Sequence, residues 1–98
     1  MPSVEIDSYV LDTLLADLVG HDRRPSAFIV YLFLWRHTLG SDRGSTQVSL
    51  AELAVATGLS RRSVQEALAW LVKRRLISRQ RESRTAVPEY SVRRPWLR

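Results

Sequence analysis

The sequence predicts one small, mainly α-helical domain closed by a short β-hairpin. Three observations carry this. Val48 to Ile77 reads as two helices with a tight turn between them. Ala27 to Trp35 is a run of nine apolar residues, with Pro25 just ahead of it. Leu76 to Arg81 and Val87 to Val92 are short, strand-like segments joined by a polar link.

Length and composition set the bounds. A chain of 98 residues makes one domain, 1–98, and 45% apolar residues are enough to build a core without staples. There is no cysteine, so disulfides and thiolate metal sites are excluded. The opening MPSVEIDSYVLD carries acids and lacks the basic and apolar regions of a signal peptide. The nine-residue apolar run falls short of the ~20 residues that span a bilayer. A cytoplasmic protein with no membrane partner is expected.

Residues 1–40 should form two helices. Glu5 to Val19 reads as the first, with Leu11, Leu14, Leu15 and Leu18 on its apolar face and Gly20 as its stop. Aspartates at 7, 12, 17 and 22 recur every five residues. Five steps turn a helix by about 140°, so they share no face and read as dipole partners and solvated positions. His21 to Arg24 is a polar loop. Pro25 suits the first turn of a second helix, Pro25 to Thr38, because its missing N–H costs nothing there. Nine apolar residues in a row leave that helix no polar face, so it should be buried nearly all round. A buried strand is the competing reading; the proline start, the Arg36-His37 ending and Gly40 favour helix. Tyr31 and Trp35 each carry a polar atom that needs a partner if buried.

Gly40 to Ser45 is the most loop-like piece, and Gln47-Val48 could follow it as a short strand. Ser49 and Glu52 then have capping-box spacing, which satisfies two orphan amides reciprocally. Leu50, Leu53 and Ala54 form one face of a third helix, about 50–57. Gly58 ends it, since glycine enters the left-handed conformation without penalty. Leu59 plugs the corner, and Ser60 is a good N-cap for a fourth helix, about 61–75. Val64, Leu68 and Leu71 lie within about 60° of one another on that helix. Arg62, Glu66, Ala69 and Lys73 lie opposite, with Gln65 on the flank. Lys73, Arg74 and Arg75 suit the C-terminal end of the helix dipole.

The segment ELAVATGLSRRSVQEALAWL, followed by Leu76-Ile77, resembles the winged helix-turn-helix family of bacterial DNA-binding proteins. The resemblance covers about Thr46 to Val92. Ala54, Gly58, Leu59, Val64 and Leu68 sit where that family places its small residue, turn glycine and packing residues. It implies a winged helix-turn-helix fold: N-terminal helices over 1–40, the helix-turn-helix over 46–75, a wing hairpin over 76–92 and a tail over 93–98. The family usually has glycine just before the Leu-Ile pair. Here that residue is Arg75, so a looser exit from the fourth helix is expected. In the hairpin, Tyr90 and Val92 alternate with Glu89 and Ser91, and Pro88 sits near a strand start, where it is tolerated. The tail should fold Trp96 and Leu97 back over an apolar patch.

Charge points to the partner. Residues 1–40 hold three arginines against five acids, and residues 41–98 hold twelve basic residues against five acids. A surplus confined to the half with the two-helix motif favours a polyanion. Fourteen of the fifteen basic residues are arginine; either phosphate-reading geometry or a GC-rich genome accounts for that. Arg61 and Arg62 stand in the first turn of the fourth helix, where amides and dipole favour phosphate. Arginine reads guanine bidentately and glutamine reads adenine. The expected DNA-facing set is Ser60, Arg61, Arg62 and Gln65, with Lys73 on the outward face and Arg79, Arg81 and Arg84 on the hairpin. Glu66 either accepts from cytosine or pairs with Arg62. Trp70 lies off both faces and packs on the hairpin or forms a subunit contact.

Catalytic signals are lacking. His21 and His37 stand alone, and no metalloprotease, nucleophile-elbow or phosphate-loop motif occurs. No catalytic residue, metal, cofactor or small-molecule ligand is expected. The expected function is sequence-specific binding of double-stranded DNA, as a bacterial transcriptional regulator and possible homodimer. Two alternatives are a winged-helix protein-interaction module and a replication or plasmid-maintenance factor.

Overall fold

The computed structural model describes residues 1–97; the last residue of the expected tail, Arg98, lies outside them. The chain begins with helical α1, built from two π-helical segments, Val10–Leu14 and Asp17–His21. Four further helical pieces and three strands follow. They are α2 (Pro25–His37), a 3-10 turn (Leu39–Ser41), β1 (Thr46–Gln47), α3 (Leu50–Thr57), α4 (Arg61–Lys73), β2 (Ile77–Gln80) and β3 (Glu89–Val92). The strands form one antiparallel sheet in the order β1-β3-β2. This is the winged helix-turn-helix architecture, mainly α with a small hairpin wing.

In α1 the apolar face differs from the leucine face expected. Val10, Leu14 and Leu18 are buried, whereas Leu11 and Leu15 are 51% and 39% exposed. The reason is the π geometry: the Leu15 and Asp22 amides donate to Val10 and Asp17, five residues back. The wider turn holds more than 3.6 residues, so a spacing of four stays in line along the helix. Gly20 is not the stop either. The helix runs on to His21, and Arg23 takes the left-handed conformation, with φ 56°.

Pro25 opens α2 in its first turn, as its fixed φ favours. The helix is the centre of the core: Ala27, Phe28, Val30, Tyr31, Leu34 and Trp35 are buried. Burial is not complete around the axis, since Ile29 is 40% exposed. Both aromatic polar atoms find carbonyl partners far along the chain. The Tyr31 hydroxyl donates to Arg93 at 3.0 Å and the Trp35 indole to Glu5 at 2.9 Å. Burial raises the Tyr31 pKa well above its usual value, so the hydroxyl keeps the proton it donates.

Asp12 is exposed, as expected, and Asp12 and Asp17 both stand in the first turn of a helical segment, but Asp7 and Asp22 are bonded across the fold. Asp7 takes Arg94 at 3.3 Å and the Trp96 indole N–H at 3.2 Å. Trp96 also stacks on Tyr9, ring centroids 4.6 Å apart, and so folds back as expected. Leu97 does not; it is 52% exposed.

Candidate nucleic-acid interface

The turn between α3 and α4 is built from local signals. Ser49 accepts from the Glu52 amide at 3.1 Å, and Glu52 accepts from the Ser49 amide at 3.2 Å, completing the capping box. Gly58 adopts φ 76°, ψ 7°. Ser60 caps α4 by accepting from the Ser63 amide at 3.0 Å. These contacts set the start of α4, and its buried stripe sets the rotation. Val64, Ala67, Leu68 and Leu71 face the core. Arg61, Arg62, Gln65, Glu66, Ala69 and Lys73 are exposed.

The exit from α4 is tight, contrary to the looser end expected of Arg75. Arg75 itself adopts φ 58°. Its amide donates to Val72 at 3.0 Å, and the Leu76 amide donates to Leu71 at 2.9 Å. This is the bond pattern of a Schellman cap, with arginine in the place glycine usually takes. Leu71, Leu76 and Ile77 are all buried, and burying them holds the chain in this turn. The cap sends β2 back antiparallel to β3, with Arg79 opposite Tyr90.

Arg79 therefore lies on the sheet face of Tyr90, and one groove is lined by Gln65 and Leu68 of α4, Ser49 and Leu50 of α3, and Arg79, Arg81 and Tyr90 of the hairpin side. Gln65, Arg79 and Arg81 thus come together. Arg61 and Arg62 stand at the exposed N-terminal end of α4. Arg84 is at the exposed hairpin tip, where its carbonyl accepts from Arg81 at 3.3 Å. Ser60 is in place, but its hydroxyl is engaged with Ser63. Arg62 pairs with Glu66 at 3.1 Å; both side chains are largely exposed, so the pair contributes little to stability and opens readily.

Lys73 is set apart from this groove. It borders a second hollow with Arg24, Glu66, Ala69 and Trp70. Trp70 is half-buried at the edge of this hollow, away from the hairpin, and its indole N–H donates to Asp22 at 2.9 Å. Asp22 also receives the Arg74 guanidinium and lies 2.9 Å from the His21 ring. Burial alone would raise its pKa; the bonds from His21 and Trp70 and the Arg74 charge outweigh it and hold the carboxyl below its usual range. This cluster joins the end of α1 to the outer flank of α4 and fixes the helix's orientation. Sequence reading missed it, since Asp22 and Trp70 are 48 positions apart and no local pattern links them.

Among the described residues, no three His, Asp or Glu side chains gather as metal ligands, and no helix is long and apolar enough to cross a membrane. A family model described as a helix-turn-helix domain matches residues 24–77, more than half of the chain. The match takes in α2, α3 and α4 and ends at the first residue of β2. No curated protein and no solved structure matches the chain.

Proposed function

We propose a function from one premise: the chain belongs to a helix-turn-helix domain family. It binds double-stranded DNA sequence-specifically and acts as a bacterial transcriptional regulator in the cytoplasm, as a single domain over 1–98. The N-terminal half of α4 enters the major groove and the hairpin lies on the backbone or in the minor groove. The observation that carries this reading is the groove in which Gln65 meets Arg79 and Arg81, beside the exposed Arg61 and Arg62. Arg61, Arg62 and Gln65 reach base edges, Ser60 sets the helix start against the backbone, and Arg79, Arg81 and Arg84 hold phosphates.

Residues 60–98 carry eleven basic residues against three acids. With about four phosphates neutralised per domain, log affinity falls with log salt at a slope near −3.6. Fluorescence anisotropy from low to moderate salt tests this. Absence of binding to any duplex at low salt sinks the reading.

One recognition helix covers only a few base pairs, so the bound form is a two-fold dimer, its two α4 helices about one DNA turn, ~34 Å, apart. Trp96 is engaged within the molecule, which leaves the exposed Leu11, Leu15 and Val19 of α1 as apolar surface for the contact. Sedimentation alone and with DNA decides it: a monomer in both states contradicts the dimer.

A further inference from the structure

Trp70 carries two cations. The Arg24 guanidinium carbon lies 4.6 Å from the ring centroid and the Lys73 ammonium 5.3 Å. The indole is itself held, because its N–H is bonded to Asp22. On a nucleic-acid-binding surface an open tryptophan face ordinarily stacks on an unpaired base. Here cations lie over the ring and its N–H is already engaged, so the site presents positive charge. The lining of the hollow sets two cations, Arg24 and Lys73, against one carboxylate, Glu66, so positive charge is in excess there.

The position of this pair on α4 is informative. Gln65 and Trp70 are five residues apart, about 140° around the helix. Gln65 borders the groove shared with Arg79 and Arg81, and Trp70 borders the hollow shared with Arg24 and Lys73. The exposed stripe of Arg62, Ala69 and Lys73 runs between them, and the Lys73 ammonium lies over Trp70. Thus cations border this stripe on both sides: the hairpin arginines on one, and Arg24, joined over Trp70 by the Lys73 ammonium, on the other. A helix in the major groove likewise has a sugar–phosphate strand on either side.

We propose that Arg24 and Lys73, held over Trp70, bind the phosphate backbone on the side of the major groove opposite the hairpin. This rests on the duplex-binding reading above. Arg24 reaches the site from the turn before α2, so the clamp includes a residue outside the two-helix unit. Stacking on the ring restrains the guanidinium before DNA arrives, which lowers the entropy lost on binding.

The test uses the full chain and a duplex it selects from a random pool. Arg24→Ala should weaken the selected and a scrambled duplex equally, roughly tenfold near 0.1 M salt, and flatten the salt slope by about one unit. Arg24→Lys should restore the slope. Lys73→Ala, truncating the second cation over the same ring, should flatten it likewise and serves if the Arg24 variants melt early. Single neutral methylphosphonate linkages then locate the contact. Linkages that weaken the wild type but not Arg24→Ala should lie across the major groove from those to which Arg84→Ala is indifferent. An Arg24→Ala protein with wild-type affinity and slope overturns the proposal, as do two sets of linkages on the same side of the groove. A wild type that binds no duplex instead removes the duplex reading itself.

Discussion

The Leu76 amide donates to the Leu71 carbonyl at 2.9 Å, closing α4 with Arg75 in the left-handed region at φ 58°. An L side chain there costs roughly 1–2 kcal/mol, while glycine avoids the clash but adds freedom to the unfolded chain. Arg75→Gly should therefore stabilise the fold by about 0.5–1 kcal/mol. The check is a urea titration, in which the midpoint should rise at unchanged slope. A lower midpoint would mean that the Arg75 side chain makes a contribution larger than its backbone strain.

Gly58 offers the opposite case. It holds φ 76°, and a Cβ added there would meet no heavy atom within 4 Å. The cost of Gly58→Ala is therefore conformational rather than steric against a neighbour, about 1–2 kcal/mol. Denaturant titration should give that loss with the fold retained. A loss several times larger would indicate that the whole α3–α4 turn rearranges.

Asp22 sets an acid limit. Its folded pKa lies below the ordinary value of 3.8, so its contribution is full above the unfolded pKa and is lost as pH falls through the folded one. Asp22→Asn keeps an acceptor for Trp70 but loses the charge facing Arg74. Since Arg74 is one-third exposed, the neutral-pH cost should be about 1–2 kcal/mol. Melting curves between pH 7 and 3 should show the wild-type advantage shrinking below about pH 4. An advantage that persists unchanged to pH 3 would contradict the assignment.

The proposed DNA contacts divide into reading and holding, and the two should be separable. Gln65→Ala should remove discrimination between the selected and a scrambled duplex, on the order of 1–3 kcal/mol for one good base contact. Arg84→Ala should weaken both equally and flatten the salt slope by roughly one unit. Binding curves for both variants on both duplexes decide it. If Gln65→Ala weakens both equally and Arg84→Ala hurts the selected duplex alone, the hairpin is the reader.

Much of the candidate interface's scaffold was legible because its signals are short-ranged. The Ser49–Glu52 box, Gly58, the Ser60 cap and the Val64–Leu68–Leu71 stripe each depend on residues within about one or two helical turns. Their energies act wherever the segment sits, so α3, its turn and α4 follow from the residues in order. The alternation around Tyr90 and the polar link before it marked the hairpin in the same way, and placed Arg79, Arg81 and Arg84 on it.

Four features belong to the tertiary structure. Leu11 and Leu15 turned outward because α1 widened into π segments, which a 3.6-residue wheel does not contain. Arg75 adopted a left-handed backbone that its own side chain disfavours, because burial of Leu71, Leu76 and Ile77 stabilises the turn. Asp7 and Asp22 found Trp96 and Trp70 across 89 and 48 positions. Arg24 came to lie over Trp70 through the same packing of α1 and α2 against α4. By itself the sequence determined which helices and hairpin form and which face of α4 is free, since capping, turn and periodicity energies are local. The rotation of α1, the exit of α4 and the pairing of distant charges were decided only on folding, where burying one apolar surface outweighs the preference of any single residue.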